Sequence, residues 1–210
     1  MNVAAALAPS TEPVVIRTPN LMIRTMTVED VSDRFVSWFS QDEIRTPLNL
    51  PAQGRTKADM VGYVQSYDQQ SRLLLGIFDA TSGLLVGFLT VQIEPRIGRY
   101  LVSTIVGEPE YRTKGLMIEI TLPFREYFFE TRGLKVMTAT ALANNKAIIG
   151  YFEKTGWTLN QTLKAHSKSH TEGTMIDLHL YSITREAWQA WKAANPEMVE
   201  AMAKGLLRQR

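Results

Sequence analysis

Three apolar, partly β-branched runs at residues 73–78, 84–93 and 100–106 are separated only by turn-forming stretches, Ser82-Gly83 and Pro95-Arg96-Ile97-Gly98. Connections this short return a strand beside its predecessor in the opposite direction, whereas a parallel crossover takes about a dozen residues or more. The middle of the chain therefore reads as a three-strand antiparallel meander. Upstream, residues 21–24 form a short strand candidate. Thr27-Val28-Glu29-Asp30, ahead of Val31, Phe35, Val36 and Phe39, reads as an amphipathic helix capped by Thr27. After a loop over 47–51, Met60, Val61, Val64 and Tyr67 mark a second helix over 57–70. Downstream, a helix pattern over 115–131 leads to strand-like residues 135–141, a helix over 145–154, a strand from Trp157 and a last strand over 177–183. Thr184-Arg185-Glu186 opens a C-terminal helix, with a break signalled at Pro196. The sum is a mixed α/β (α+β) domain, helices flanking one largely antiparallel sheet.

At 210 residues one domain with tails is expected. Pro9, Pro13 and Pro19 punctuate the opening, so residues 1–20 read as a flexible N-terminal tail. Residues 21–184 then form the domain, and 185–210 a C-terminal helical extension. A net charge of +2 with no basic run gives no reason to propose a nucleic-acid partner. The chain has no cysteine, which rules out disulfides, a thiolate nucleophile and Cys-based zinc sites. No window approaches the roughly 20 apolar residues of a membrane span, and the first residues lack the basic region of a secretory signal. A soluble, cytoplasmic protein is the expectation.

Topology alone does not name a reaction. Two connecting segments say more. Glu108-Pro109-Glu110-Tyr111-Arg112-Thr113-Lys114-Gly115-Leu116-Met117 is wedged between an apolar strand and a long helix. The first amides of a helix have no intrahelical acceptor, and the aligned peptide dipoles add roughly half a positive charge there. A phosphate suits that place. Gly115 lets the backbone approach such a ligand, and Arg112 and Lys114 add charge. Taken alone, the segment is equally a turn glycine preceded by two solvated cations. The second, Asn145-Lys146-Ala147-Ile148-Ile149-Gly150-Tyr151-Phe152-Glu153-Lys154-Thr155-Gly156-Trp157, is a helix that starts at an Asn and stops at a Gly.

Together these segments resemble the acetyl-CoA-binding half of the GNAT superfamily of N-acetyltransferases, in the branch of ribosomal-protein N-terminal acetyltransferases. Tyr111-Arg112-Thr113-Lys114-Gly115-Leu116-Met117 resembles the family's R-x-x-G-x-G/A pyrophosphate loop, and Glu119 sits where this branch often carries Glu. Asn145 and Glu153-Lys154-Thr155-Gly156-Trp157 resemble its N-x-x-S…E-K-x-G-F segment. The resemblance implies the GNAT acyl-CoA N-acyltransferase fold, a sheet of about seven strands splayed between its fourth and fifth members, here 100–106 and 135–141. Acetyl-CoA would be the cosubstrate. Backbone groups of Ile105 and Val106 would pair with the pantetheine arm like an added strand. Arg112, Thr113, Lys114, Gly115, Leu116 and Met117 would hold the pyrophosphate, and Asn145 and Phe152 would meet the arm from the facing helix. The implied reaction is direct attack of an amine on the thioester in a ternary complex, with no covalent enzyme intermediate. The acceptor would be a small-molecule amine or a protein N-terminus, with a homodimer as an option.

Three positions depart from the family pattern. Met117 replaces a small residue, Ile148 stands where a Ser is frequent, and Phe152 occupies the place of the Tyr that protonates the thiolate in many members. The strand over 100–106 lacks the carboxylate many relatives carry, and Glu94 at the end of the preceding strand is the candidate substitute base, against a solvated hairpin charge as the plainer reading. These departures motivate an alternative, an acyl-CoA-binding sensor or interaction module without turnover. His166 and His170 in a polar loop give no metal-site geometry, so no metal is expected. His179 reads as a paired strand residue. Trp157, Trp188 and Trp191 read as packing rather than as a substrate stack. The acceptor pocket would draw on residues 35–51, the mouth between the fourth and fifth strands, and the loop over 166–173.

Overall fold

A computed structural model describes residues 12–51, 54–113 and 115–205. It contains an eight-stranded sheet: β1 (Val15–Arg17), β2 (Leu21–Thr25), β3 (Arg72–Asp79), β4 (Leu85–Glu94), β5 (Arg99–Val106), β6 (Val136–Leu142), β7 (Thr158–Lys168) and β8 (Met175–Thr184). The order across the sheet is β1-β2-β3-β4-β5-β6-β8-β7, and only β5 and β6 run parallel. The meander is formed as its short connections require, with β3, β4 and β5 adjacent and antiparallel.

Helices cover both faces. On one lie α1 (Asp33–Trp38), α2 (Asp42–Leu48) and α3 (Lys57–Gln65), whose Phe35, Trp38, Ile44, Met60 and Val64 pack on Leu74, Phe78 and Phe88. On the other lie α4 (Pro109–Arg112), α5 (Leu116–Glu126), α6 (Lys146–Lys154), α7 (Arg185–Ala194) and α8 (Pro196–Lys204). There Leu116, Ile120, Phe124, Phe152 and Trp188 meet Leu73, Leu75, Met137 and Ile183. Neighbours Leu73, Leu74 and Leu75 thus serve opposite cores, as strand alternation dictates for a sheet buried on both sides. Among the described residues no helix is long and apolar enough to cross a membrane.

Four local expectations change. The reading of residues 1–20 as a tail misses β1, which pairs Val15–Arg17 with Met22–Arg24 and buries Val14 and Ile16 while Val15 stays exposed; residues 1–11 of that tail lie outside the described residues. The strands expected to part as fourth and fifth are therefore β5 and β6. Thr27 heads only a one-turn 3-10 segment, its backbone N–H donating to Asp30 Oδ2 at 2.9 Å; the cap of α1 is Ser32, whose hydroxyl accepts from Phe35 N at 3.1 Å. α2 occupies part of the presumed loop, ending at Asn49 in a left-handed conformation (φ 51°). Finally, β7 runs on to Lys168, so His166 is in a strand; a register break beside Ala165 (φ 49°) and mostly exposed side chains hide the alternation.

Gly107 closes β5 under the indole of Trp38, where an added Cβ would overlap the ring. Gly107→Ala should therefore destabilise the protein by about 2–3 kcal/mol, the cost of overpacking a rigid ring, and lower the melting temperature by roughly 4–12 °C. Thermal melts followed by circular dichroism check this; an unchanged midpoint contradicts the packing.

Candidate active site

The parallel pairing of β5 with β6 is confined to Arg99–Val136, Tyr100–Met137 and Leu101–Thr138. Beyond it the strands are pulled apart from outside. β4 holds β5 along its length to Val106, and β8 holds β6 to Leu142. The inward backbone edges of both strands are left facing a cavity of about 400 Å³. α5 and α6 form its walls through Met117, Ile120, Thr121, Ile148, Tyr151 and Phe152. Asn49 at the end of α2 roofs it: the Asn49 side chain donates to Lys168 O and accepts from His170 N, at 2.9 and 2.8 Å.

Gly115 starts α5 with φ 69°, a left-handed conformation that glycine adopts at no steric cost. Its carbonyl accepts from Ile118 N and Glu119 N, both at 3.0 Å, and the amides of Leu116 and Met117 are the ones helix geometry leaves without intrahelical acceptors. The Leu116 side chain is core, so only its backbone is on offer, while Met117 lines the cavity. Thr113 is exposed at the end of α4. Lys114 lies outside the described residues. Asn145 caps α6, accepting from Ile148 N at 3.3 Å, and also lines the cavity. Phe152 lines it too, packed against Trp157 and Tyr181 with ring centroids 4.7 and 4.6 Å away.

Arg112 and Glu94 are placed differently from expectation, whereas Ile105 and Val106, expected to meet the arm through their backbone, stand at the end of β5 with side chains directed elsewhere. Arg112 turns back onto its own turn, donating from Nε to Val106 O (3.1 Å) and from Nη2 to Gly107 O (2.7 Å) and Gln41 Oε1 (2.6 Å). It braces the end of β5 against α2 and offers the phosphate site charge at most. Ile105 faces away from the donor cavity, into a second cavity of about 580 Å³ on the α1–α3 side. Val106 packs against the other core. Glu94 is not brought to the cleft. It sits at the closed end of the strand pair, at the β4–β5 hairpin, where Arg99 Nη2 holds both its oxygens at 2.7 and 2.9 Å. The plainer reading of Glu94 as a hairpin charge is the one this geometry favours.

The buried carboxylates are structural. Glu119, 1% exposed, accepts from Thr18 Oγ1, Asn20 N and Asn20 Nδ2 and so ties α5 to the β1–β2 turn. Glu108, 4% exposed, accepts from Arg34 and from Trp38 Nε1 at 2.9 Å. The hydrogen-bonded Arg34 guanidinium, helped by Trp38, holds the Glu108 carboxyl below its usual range against the opposing effect of burial. A carboxylate with a depressed folded-state pKa contributes stability above its unfolded value, near 4.3, and loses that contribution as the pH falls through the folded value. Glu108→Gln should thus cost about 1 kcal/mol at neutral pH, since Arg34 is exposed, and the difference from wild type should begin to shrink below about pH 4 and vanish only once the pH has fallen past the lowered folded-state value. A pH series of denaturant melts tests it; a pH-independent difference contradicts the ion-pair origin.

Two cleft residues carry no recognised motif. Tyr151 lines the cavity with its hydroxyl 2.8 Å from Thr121 Oγ1. Arg125 is fully buried at the cavity's inner end, its Nη1 donating to Thr155 O at 2.6 Å and its guanidinium 4.6 Å from the Trp188 ring centre, while Nε has no hydrogen-bond partner among the described residues. In sequence Tyr151 stands one position from Phe152, on a different helical face, yet both line the cavity. Arg125 had no sequence signal, being one cation on a long amphipathic helix.

Residues 20–158 match the family described as "Acetyltransferase (GNAT) domain". Solved structures share the fold at low identity. A GCN5-related N-acetyltransferase from Brucella melitensis has a TM-score of 0.73 at 17% identity, covering 91% of this chain and 87% of its own. A ribosomal-protein-S5-alanine acetyltransferase from Vibrio fischeri has 0.68 at 15%, covering 83% and 98%. A spermidine N-acetyltransferase from Vibrio cholerae, in complex with CoA and spermine, has 0.71 at 15%, covering 81% and 98%. A comparison with curated protein sequences found no match. With the family matched over most of its length and the sheet parted where the fold requires, the chain belongs to the GNAT acetyltransferases, enzymes that take their acetyl group from acetyl-CoA.

Proposed function

We propose that the protein transfers an acetyl group to a primary amine, on a small molecule or a protein N-terminus, by direct attack in a ternary complex. The observation that carries this reading is the parting of β5 from β6 after Leu101 and Thr138 over a cavity walled by α5 and α6. An extended, amide-bearing arm can pair along an unpaired strand edge. The residues present suit such a donor: the edge of β5 from Val102 to Val106 for the arm, the amides following Gly115 for the diphosphate, and Asn145 and Phe152 on the facing wall. The thioester supplies an activated acyl group. The chain's part is to bring the amine and this group together in one orientation, which is worth up to roughly 7–11 kcal/mol of barrier in favourable cases.

Tyr151 is the hydroxyl we place at the departing sulfur, in the role for which Phe152 has no proton. Its hydrogen bond to Thr121 orients the ring edge in the cavity wall. The proton donor would thus have moved by one residue along α6 while remaining in the cleft lining. Acceptors named for the structural neighbours, an alanine of ribosomal protein S5 and spermidine, span the two kinds of amine under consideration. Calorimetry with coenzyme A, followed by release of free thiol from acetyl-CoA with a panel of amines, tests the reading. Micromolar binding with amine-dependent release supports it. Binding without release to any amine would favour a sensor, and no binding would remove the proposal.

A further inference from the structure

The side chains around the cleft constrain which amine can be used. Those facing the gap are hydroxyls and amides (Ser103, Thr140, Ser167, Asn49, Asn145) and apolar groups. The one charged side chain among the described residues lining it is Arg125, a cation buried behind the inner end that acts through its field. On the α1–α3 side the second cavity adjoins it at Leu48, with Phe39, Phe88 and Tyr63 as an aromatic floor and Leu50 and Ile105 as walls. Its charged members are Arg55 and Asp59, and the Asp59 carboxylate already accepts the Thr56 backbone N–H and hydroxyl, both at 2.8 Å.

Other titratable groups around this space are committed or poorly suited to take a proton. The Tyr63 hydroxyl is bonded to Tyr67, and burial holds it far above the usual phenol range. Tyr100, under the sheet, is likewise raised by burial. Arg45 of α2 binds Asp42 and Pro51 O, and His179 binds Thr162. His170 on the roof contributes its backbone N–H to Asn49, with its ring exposed. Residues 1–11, 52–53, 114 and 206–210, outside the described part, contain no Asp, Glu or His.

An ammonium ion must lose a proton before its nitrogen can attack, and a cation at the inner end disfavours entry of the charged form. From the neutral and positive lining of the cleft and the aromatic floor beside it, we infer that the acceptor is a weakly basic amine, an α-amino group carried next to an aromatic or branched apolar side chain, taken up already neutral. This rests on the transferase reading above. The transfer then balances without an outside base. The nitrogen bonds to the acetyl carbon, the carbon–sulfur bond breaks, and the proton lost by nitrogen matches the one gained by sulfur. At pH 7.5 roughly a third of an α-amine is neutral, against about 0.1% of a lysine-type amine. A polyamine would bring further ammonium groups to a pocket that offers, among the described residues, one carboxylate, Asp59, whose charge is shared with the Thr56 cap and the neighbouring Arg55.

The test uses the full chain with acetyl-CoA and four acceptors: phenylalaninamide, a peptide beginning with Phe, 2-phenylethylamine and spermidine, between about pH 6.5 and 9.5. At about pH 7.5 the two α-amines should exceed 2-phenylethylamine in kcat/KM by roughly a hundredfold, and above pH 8 the gap should narrow about tenfold per unit as the alkylamine deprotonates. A lead of the peptide over the amide assigns the source to protein N-termini and the reverse to small amino compounds; both uphold the inference. Equal or faster transfer to 2-phenylethylamine or spermidine at pH 7.5 overturns it. So does a bend at one shared pKa between about 5 and 7 for all acceptors, or its removal by Asp59→Asn or His170→Gln, since a protein base would then be at work. Coenzyme A binding by calorimetry and the wider amine panel, in the same preparation, separate the failures: binding with transfer to none of the four but to another amine of the panel overturns this inference alone, whereas transfer to no amine at all, or lack of binding, overturns the transferase reading itself.

Discussion

Gly115→Asp is expected to weaken coenzyme A binding by about a hundredfold or more, equivalent to losing one or two charge-assisted hydrogen bonds, in a protein that still folds. Both halves of that expectation come from one geometry. Gly115 is the N-cap of α5 at φ 69°, a conformation Asp tolerates better than most residues. An N-cap carboxylate accepts hydrogen bonds from the next amides and interacts well with the positive end of the helix. The substituted side chain would thus satisfy the helix while occupying the amides that the diphosphate needs and repelling its charge. Gly115→Asn separates the terms: it caps without charge and should lose about tenfold. Titration calorimetry with coenzyme A reads both, and an unchanged affinity for the Asp variant would show that the diphosphate lies elsewhere.

Tyr151→Phe should lower kcat by about a hundredfold, within the range of general-acid contributions, with the KM for acetyl-CoA nearly unchanged. The hydroxyl is what changes, since the ring keeps its place beside Phe152. Thr121→Val should reproduce part of the loss by releasing the hydroxyl from its 2.8 Å partner. If Tyr151→Phe turns over at the wild-type rate, the sulfur takes its proton from water and the Thr121–Tyr151 pair is packing only.

How much of this was legible in sequence depends on whether the signal was local. Short turns between apolar runs carry the direction of β3, β4 and β5, because chain length alone forbids the alternative. Gly115 and Asn145 are helix-end residues with a backbone reason for their identity, and both stand where a reading of turns and caps places them. What escaped was decided by tertiary contact. β1 is a three-residue strand among prolines, recognisable only once Arg24 and Met22 are there to pair with it. α2 contains Pro47, which reads as a loop until the left-handed Asn49 is seen to stop the helix and reach the β7–β8 hairpin. Arg112 matched a motif, yet the carbonyls of Val106 and Gly107 claim its guanidinium. Glu94 was chosen for its nearness in sequence to the splayed strands, but the strands part at the opposite end from it. Arg125 became visible only in the fold, as a fully buried guanidinium hydrogen-bonded to Thr155 and to no carboxylate among the described residues.

A crystal structure of the protein with coenzyme A tests the central assignment most directly. The pantetheine arm should run along the free edge of β5 past Leu101, with the diphosphate on the amides that follow Gly115 and the thiol directed toward Tyr151. Coenzyme A bound on another face, or β5 and β6 closed against each other up to Val106 and Leu142, would contradict it.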